Sequence, residues 1–439
     1  MAKRCAIIGA GPAGCTAAYE LQKSGFDVQI FEANAQVGGR TQTWREQNLN
    51  HDSGAGFFTN FYPNLETYID ELELHDEIIT LSRNNGLVQN GKAAFLQLGS
   101  LQSFLKFPYA SIRSKLSMLR ETLSMTLKHR HDHLYDCEKL AEYDEESIAA
   151  YIRKRCNDEV YHAFIRPGIE PFWYFSCEEV SQSLLLALQS KAADAKFYTF
   201  AKGMDTFCRS VTKDMQVHTN TAIEDIAYQD NEFILQTKAE SFRSDFLVIA
   251  STASVAARIC KNLNNDILPE ERRRFLSEQR YTPNIHAAYL ATKDECPPQA
   301  SSLCPSGPGQ HHIAAIGFGS LKGQNSDESL QGKELVAVFL SGEQSQALLD
   351  KSEAELYTTM WQEARSFYPA LPKEVTPFKL IKRHAAIPVH SVGRYKKAKE
   401  FWQGQKAPLV FAGDYLSTAT VDGAIWSGKK AAGKISEGL

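Results

Sequence analysis

The sequence predicts an α/β protein with one parallel-sheet domain assembled from both ends of the chain. Three observations predict it: a strand, glycine turn and helix at residues 4–23, a second such unit at 408–432, and an apolar segment at 244–251 of the kind buried inside parallel sheets. At 439 residues, two or three domains are expected, each large enough to bury a core.

Taken in order, residues 4–8 form a short buried strand. Gly9-Ala10-Gly11-Pro12-Ala13-Gly14 then turns into a helix over 15–23, and a second strand over 27–31 ends at Glu32. A lone G-x-G-x-x-G is a weak signal. Here it follows a strand, opens a helix and has an acid about twenty residues on, which is the context a dinucleotide needs. Gly9 permits the tight turn, Gly11 lets a diphosphate approach the backbone, and Gly14 lets helix and strand pack closely. Amides free at the helix start, with the helix dipole, hold phosphates. Glu32 is placed to accept hydrogen bonds from an adenosine ribose, and its charge disfavours a 2′-phosphate. This Rossmann-like start is followed by Gly38-Gly39-Arg40 and by the glycine-rich segment 51–58.

From about 100 to 195 the chain reads helical, with helices over 147–155 and 180–193. Strands are expected over 215–219, 222–228, 232–237, 285–292 and 334–340, and a helix over 353–367. A Pro, Ser and Gly cluster from 296 to 310 reads as a loop. The last strand runs into Gly413-Asp414, and a helix opens at Val421-Asp422-Gly423-Ala424. An acid at a strand's carboxyl end lies where open α/β sheets bind ligands. The first and last units would then serve one cofactor from two sides.

A net charge of −4 leaves no nucleic-acid footprint. Nine cysteines, an odd number without a C-x-x-C pair, point to free thiols in a reducing compartment and away from disulfides or zinc. The N-terminal apolar run covers only residues 5–8, and no window approaches about 18 apolar residues, so a cytoplasmic protein without a transmembrane segment is expected. His129, His131 and His133 invite a metal reading, but Lys128 and Arg130 repel a cation and no carboxylate motif completes a site, so no metal is expected. Cys15 lies near a helix start, and packing is its expected role.

Together these features resemble the flavin amine oxidase superfamily, which includes monoamine oxidases, protoporphyrinogen oxidases and phytoene-type desaturases. The resemblance rests on Gly9/Gly11/Gly14, Glu32, Gly38-Gly39-Arg40, Asp52-x-Gly54-Ala55, residues 245–251, Gly413-Asp414 and Val421-Asp422-Gly423-Ala424. It implies FAD rather than NAD, in a discontinuous Rossmann-like FAD-binding domain over 1–75, 200–260 and 376–439. A partly helical α+β substrate-binding domain would cover 76–199 and 261–375. Gly39 and Arg40 would lie along the diphosphate and flavin, with Arg40 countering phosphate charge. Ile223, reached from Val217, would offer its backbone to adenine. Asp414 would accept from ribitol or phosphate-side hydroxyls, and amides near Val421 and Asp422 would face the isoalloxazine. Gly54-Ala55-Gly56-Phe57 would pass the flavin's reactive edge. Residues 417–420 contain no cysteine, so the FAD is expected to be non-covalent.

Many amine oxidases place a lysine near flavin N5 on a substrate-domain strand, and the comparable position here is His286. The segments Phe172-Trp173-Tyr174-Phe175 and Arg383-His384-Ala385-Ala386-Ile387-Pro388 resemble protoporphyrinogen oxidases and desaturases, with His384 in place of tryptophan. Trp173, Tyr174 and His384 are therefore the candidate substrate-binding residues. His286 is the one catalytic candidate, as a base or a water holder, against the plainer reading of a hydrogen-bonded core histidine. The expected function is an FAD-dependent oxidoreductase removing hydride from a C–N or C–C bond of a small to medium, partly apolar substrate. A flavin-dependent desaturase or monooxygenase is the alternative, and a non-catalytic binding protein on the same fold a further one. The chain has no second G-x-G-x-x-G unit for NAD(P)H, which speaks against the monooxygenase. Molecular oxygen is one candidate acceptor, and the oligomeric state is open. Residues 95–127 mix apolar side chains with Lys106, Arg113, Lys115 and Arg120; an interfacial membrane helix is one reading, and a lid or substrate-domain helix the preferred one.

Overall fold

Two large sheets, three smaller ones of two or three strands and a helical layer make up the described residues. The structure is a computed structural model that describes residues 3–296 and 300–438. The first sheet has five parallel strands in the order Gln216–His218, Asp27–Phe31, Arg4–Ile8, Phe246–Ile249, Leu409–Phe411. Ile7 pairs with both Ile30 and Val248, and all three are fully buried, as expected for a parallel sheet covered on both faces. The helix Pro12–Lys23 starts with proline at its first position, where no intrahelical N–H is needed, and stops before Gly25, whose φ is +85°. It crosses the last helix, Val421–Ser436, at Gly428, where a Cβ would lie 2.1 Å from the Ala13 carbonyl oxygen. The two terminal units thus pack as one body.

The second sheet has seven strands in the order Thr376–Pro388, Tyr281–Thr292, Lys333–Leu340, Ile313–Phe318, Ser302–Pro305, Asn84–Gln89, Lys92–Gln97. Its pairs are antiparallel except for Ser302–Pro305 against Asn84–Gln89. The helix Glu353–Phe367 covers one face, burying Leu356, Met360 and Trp361 in a core with Ile285, Ala287 and Tyr289. Three points differ from the sequence expectations. The 296–310 cluster is not all loop: Ser302–Pro305 is a strand held between two partners, while 297–299 lie outside the described residues. The strand Thr376–Pro388, grouped by sequence with the nucleotide-binding segments, instead pairs along Tyr281–Thr292 in the second sheet. Phe95 belongs to the strand Lys92–Gln97, so the 95–127 segment is helical only from Leu101, where the helical region expected from about 100 begins.

The helical layer runs from Leu101–Lys106 to Gln182–Gln189. Its helix Arg166–Trp173 follows a π-turn at Tyr161–Ile165 and ends where Tyr174 takes a φ of +61°. Among the described residues no helix is long and apolar enough to cross a membrane.

Candidate functional site

All five parallel strands deliver their carboxyl ends to one rim, and the sequence-predicted nucleotide residues collect there. Gly9 follows the first strand at φ +102°, and its N–H donates to the Phe31 carbonyl at 2.8 Å. A Cβ on Gly9 would stand 2.9 Å from the Ala250 oxygen, and one on Gly14 would stand 1.9 Å from the Gly9 oxygen. Both positions therefore require glycine. Gly11 differs: its nearest neighbour would be the Gly39 Cα at 3.9 Å, so the loop faces open space. Pro12 and Ala13 open the helix behind it. Glu32 is buried, and its carboxylate accepts from the Ala10 amide at 2.8 Å and the Asn34 amide at 2.8 Å. The Thr221 amide donates to the Glu32 carbonyl at 2.8 Å, which holds the loop leading to the buried Ile223 at the same rim.

The two ends of the chain meet through charge. Arg40 forms a bidentate pair with Asp414 at 2.8 and 2.6 Å, across 374 positions of sequence, and donates to the Ala386 carbonyl at 3.0 Å. Burial works against the Arg40 charge, and the Asp414 carboxylate outweighs it, holding the guanidinium above its ordinary range. Gly413, at φ +150°, turns the strand end so that Asp414 reaches Arg40. Arg383 brings a second guanidinium to the Ser53 carbonyl at 3.1 Å and the Ser53 hydroxyl at 2.9 Å. No carboxylate pairs with it among the described residues, and burial together with Arg40 lowers its pKa. Strand alternation turns its neighbour His384 to the other face, where it is exposed. Of this pair, Arg383 and not the candidate His384 faces the rim.

Gly54 packs so closely that a Cβ would lie 2.0 Å from the Arg40 oxygen, and the Ala55 amide donates to that oxygen at 2.9 Å. Beneath this crossing lies a buried polar group that spacing did not reveal. Asp52 accepts from the Lys322 ammonium, the Thr43 hydroxyl at 2.5 Å, the Gln324 amide at 3.0 Å and the Met204 amide at 3.0 Å. Burial alone would raise its carboxyl; Lys322 and these hydrogen bonds hold it below the usual range. Lys322 also stands beside Gly56, 3.3 Å from where a Cβ would be. His51 is pushed down to about 4 by burial and by Lys322. His286 shifts well below its ordinary value through burial, with His51, Arg383 and Lys322 adding to it. Both imidazoles are therefore neutral near pH 7, and both leave Nε2 without a partner among the described residues. The His286 Nδ1 lies 3.0 Å from the Asn284 side-chain oxygen.

Aromatic rings lead away from this group. Tyr174 stacks on Phe339 at 6.5 Å, Phe339 on His286 at 4.9 Å, and His286 meets His51 at 5.4 Å. Phe57 sits edge-on to Phe172 and Phe197. Trp173 is occupied differently: its indole N–H donates to the Ala419 carbonyl at 2.8 Å and fixes the loop before the last helix. That helix is capped by Thr420, which accepts from the Gly423 amide at 2.9 Å. The Val421 and Asp422 amides remain as first-turn groups with no intrahelical acceptor, and Ala424 is half-buried behind them. The Asp422 carboxylate turns away, accepting from Leu65 N at 2.9 Å and Asn64 Nδ2 at 3.0 Å, and burial raises its pKa to about 7. Cys15 is sealed in the core, its thiol raised by burial and Cys208. A cleft of about 720 Å³ lined by Lys3, Asp245, Phe246 and Pro408 opens at the amino ends of the same strands, the end at which such sheets do not bind nucleotides.

A family model for flavin-containing amine oxidoreductases matches residues 12–436. The chain is similar to mitochondrial protoporphyrinogen oxidase of Nicotiana tabacum, at 30% identity over 172 residues, 38% of this chain and 32% of that protein. It is also similar to an L-amino-acid oxidase of Crotalus adamanteus, at 25% identity over 279 residues, 58% of this chain and 52% of that protein. These matches span about a third and about half of the relatives' own lengths. Cyclohexylamine oxidase from Brevibacterium oxydans IH-35A has the same fold, with a TM-score of 0.74 at 17% identity over 100% of this chain and 99% of that one. With the glycine rim and the Arg40–Asp414 closure in place and nearly every residue inside the family match, the chain belongs to the flavin-containing amine oxidoreductase family.

Proposed function

We propose that this FAD-dependent oxidoreductase takes a hydride from a C–N or C–C unit of a small to medium, partly apolar molecule that is neutral or carries carboxylates. The residues present suit the cofactor. Gly11 leaves open backbone for a diphosphate, Glu32 suits a ribose, and Arg383 has no carboxylate of its own to neutralise it. Bound FAD supplies the hydride acceptor. We assign Gly9, Gly11, Gly14, Glu32, Gly39 and Arg40 to its nucleotide half. Gly54–Gly56, Asp414 and the amides of Val421 and Asp422 are assigned to its flavin half.

The single observation that carries the substrate reading is the ring column from Tyr174 through Phe339 to His286 and His51. It offers an apolar wall ending at neutral imidazoles, where a C–H bond could be oriented and water kept out. Lys322 and Arg40 are matched by Asp52 and Asp414, which leaves Arg383 as the excess cation near the column and favours neutral or anionic substrates over dicationic amines. Loss of a hydride and of a proton from the adjacent atom leaves a C=N or C=C bond. His286 holds its Nδ1 toward Asn284, and its free Nε2 can accept that proton or fix a water. Nine free thiols, eight of them buried, support a reducing, cytoplasmic setting. Anaerobic bleaching of the flavin against amines, amino acids, porphyrinogens and polyenes tests the proposal. Bleaching by a carboxylate-bearing or neutral candidate is expected. Bleaching by putrescine-like diamines alone, or by NADPH alone, would overturn it.

A further inference from the structure

Six large apolar side chains stand in solvent on two consecutive helices, Leu101–Lys106 and Ile112–His129. Leu101 and Leu105 are on the first. Ile112, Leu116, Leu123 and Leu127 are on the second, each 60–66 % exposed. At the helical repeat these four fall within about 60° of the circumference. The opposite side carries Met118, Glu121 and Met125, and it is buried. The longer helix therefore has two apolar stripes, and packing against the protein uses only one of them. Lys115 donates from Nζ to the Leu105 carbonyl at 2.7 Å, which joins the two helices into one surface.

Cations border this surface. Lys106, Arg113, Arg120 and Lys128 are exposed, and no carboxylate pairs with any of them among the described residues. Across residues 98–131 the one acid is Glu121, which is buried and accepts from the Tyr151 hydroxyl at 2.7 Å. A cleft of about 800 Å³ opens beside the stripe, lined by Arg113, Leu116, Arg120 and Arg155. Its acids are engaged elsewhere: Asp158 with Arg153 at 2.7 Å, and Glu159 with the Ser111 hydroxyl at 2.5 Å and that of Ser114. On a chain of net charge −4 this face is a local reversal of sign.

A second copy seated here about a two-fold axis would set this cation-bordered patch against itself, with no free acid on either side to offset the charge. An anionic bilayer supplies both missing partners, hydrocarbon for the leucines and negative charge for the cations. We propose that residues 101–129 form a peripheral membrane-docking face that seats Leu116, Leu123 and their neighbours at the headgroup boundary of an anionic leaflet.

The test reads partition rather than flavin chemistry, so it stands apart from the cofactor assignments. Flavin-loaded full-length protein is sedimented with phosphatidylcholine vesicles and with vesicles containing about one quarter phosphatidylglycerol. Wild type should pellet with the anionic vesicles, at least about tenfold more strongly than with the neutral ones, and less so as salt rises. The double variant Leu116→Glu/Leu123→Glu should stay in the supernatant. Arg113→Glu/Arg120→Glu should lose the preference for anionic lipid. All four positions are exposed, so both variants should keep the wild-type melting midpoint and flavin content, which separates lost docking from lost fold. Recovery of wild type in every supernatant overturns the proposal, as does unchanged pelleting of both variants. A dimer that Leu116→Glu/Leu123→Glu renders monomeric, without vesicle binding, assigns the face to self-association and overturns it too.

Discussion

Replacing Lys322 by methionine keeps a side chain of similar volume and removes the ammonium beside a buried carboxylate. Asp52 is 2 % exposed at the side chain against 24 % for Lys322, so the charge left behind is the deeper of the two. Stranding one member of a buried pair costs about 3–5 kcal/mol. Lys322 is partly solvated and Asp52 keeps Thr43, Gln324 and Met204 as donors, which lowers the expected cost to about 2 kcal/mol at neutral pH. The pH dependence has a definite sign. In the wild type the Asp52 carboxyl lies below its ordinary 3.8, so its contribution is complete above that value and is lost as pH falls through the folded value. Without Lys322, burial dominates and raises the carboxyl, so the variant is penalised at neutral pH and recovers on acidification. The gap between Lys322→Met and wild type should therefore narrow from about pH 7 to about pH 4.5. Urea unfolding followed by tryptophan fluorescence reads it. In an Asp52→Asn background the same change should cost under about 1 kcal/mol. A penalty independent of pH, or undiminished in that background, refutes the reasoning.

Gly14→Ala would drive a Cβ to 1.9 Å from the Gly9 oxygen, and the purified protein should be colourless, which its visible spectrum checks. Asp414→Asn removes the carboxylate assigned to hydroxyls of the flavin half and unfixes the Arg40 side chain, and should weaken FAD retention about ten- to a hundredfold, measured by flavin release on dilution. His51 titrates at about 4 and His286 lower than its ordinary value, so the rate of anaerobic flavin reduction should show no imidazole limb between about pH 6 and 8; a limb near pH 6.5 would contradict the burial of both rings. Asp422 is raised to about 7 by burial, so the folded state is favoured with it protonated and loses stability as pH rises through about 7. Asp422→Asn should abolish that loss in thermal melts while retaining the bond from Leu65.

The parts of this protein legible in sequence are those whose chemistry is written in short-range spacing. Gly9, Gly11, Gly14 and Glu32 are fixed by one βαβ turn, and the structure returns them to one rim with the contacts that turn demands. Gly413-Asp414 was legible for the same reason. Its partner was not: Arg40 lies 374 positions away, and only the parallel registry of the first and last strands with Phe246–Ile249 brings them within 2.6 Å. Lys322 sits in a polar turn after Ile313–Phe318 with no periodicity to mark it, and reaches Asp52 because that turn packs against Asn50 through Gln324 and Asn325. His384 against Arg383 shows the limit at its sharpest. A strand puts neighbours on opposite faces, so a one-residue ambiguity in facing exchanges a cation for a solvent-exposed ring.

Charge is divided unevenly along the site. Positive groups gather where the chain's ends close: Arg40 balanced by Asp414, and Arg383 left unbalanced beside Gly39 and Ser53. A half-buried guanidinium without a carboxylate is unfavourable by itself and becomes favourable once an anionic group enters, so the cofactor-free fold stores a demand for one. Lys322 is the opposite case, already matched by Asp52, and changes little when an anion binds nearby. Arg383→Met should therefore raise the stability of the cofactor-free protein while lowering its affinity for FAD, whereas Lys322→Met lowers stability in both states. An Arg383→Met protein that is destabilised without FAD and binds it as tightly as wild type would show that the guanidinium is held by Ser53 alone and that the site carries no net demand for negative charge.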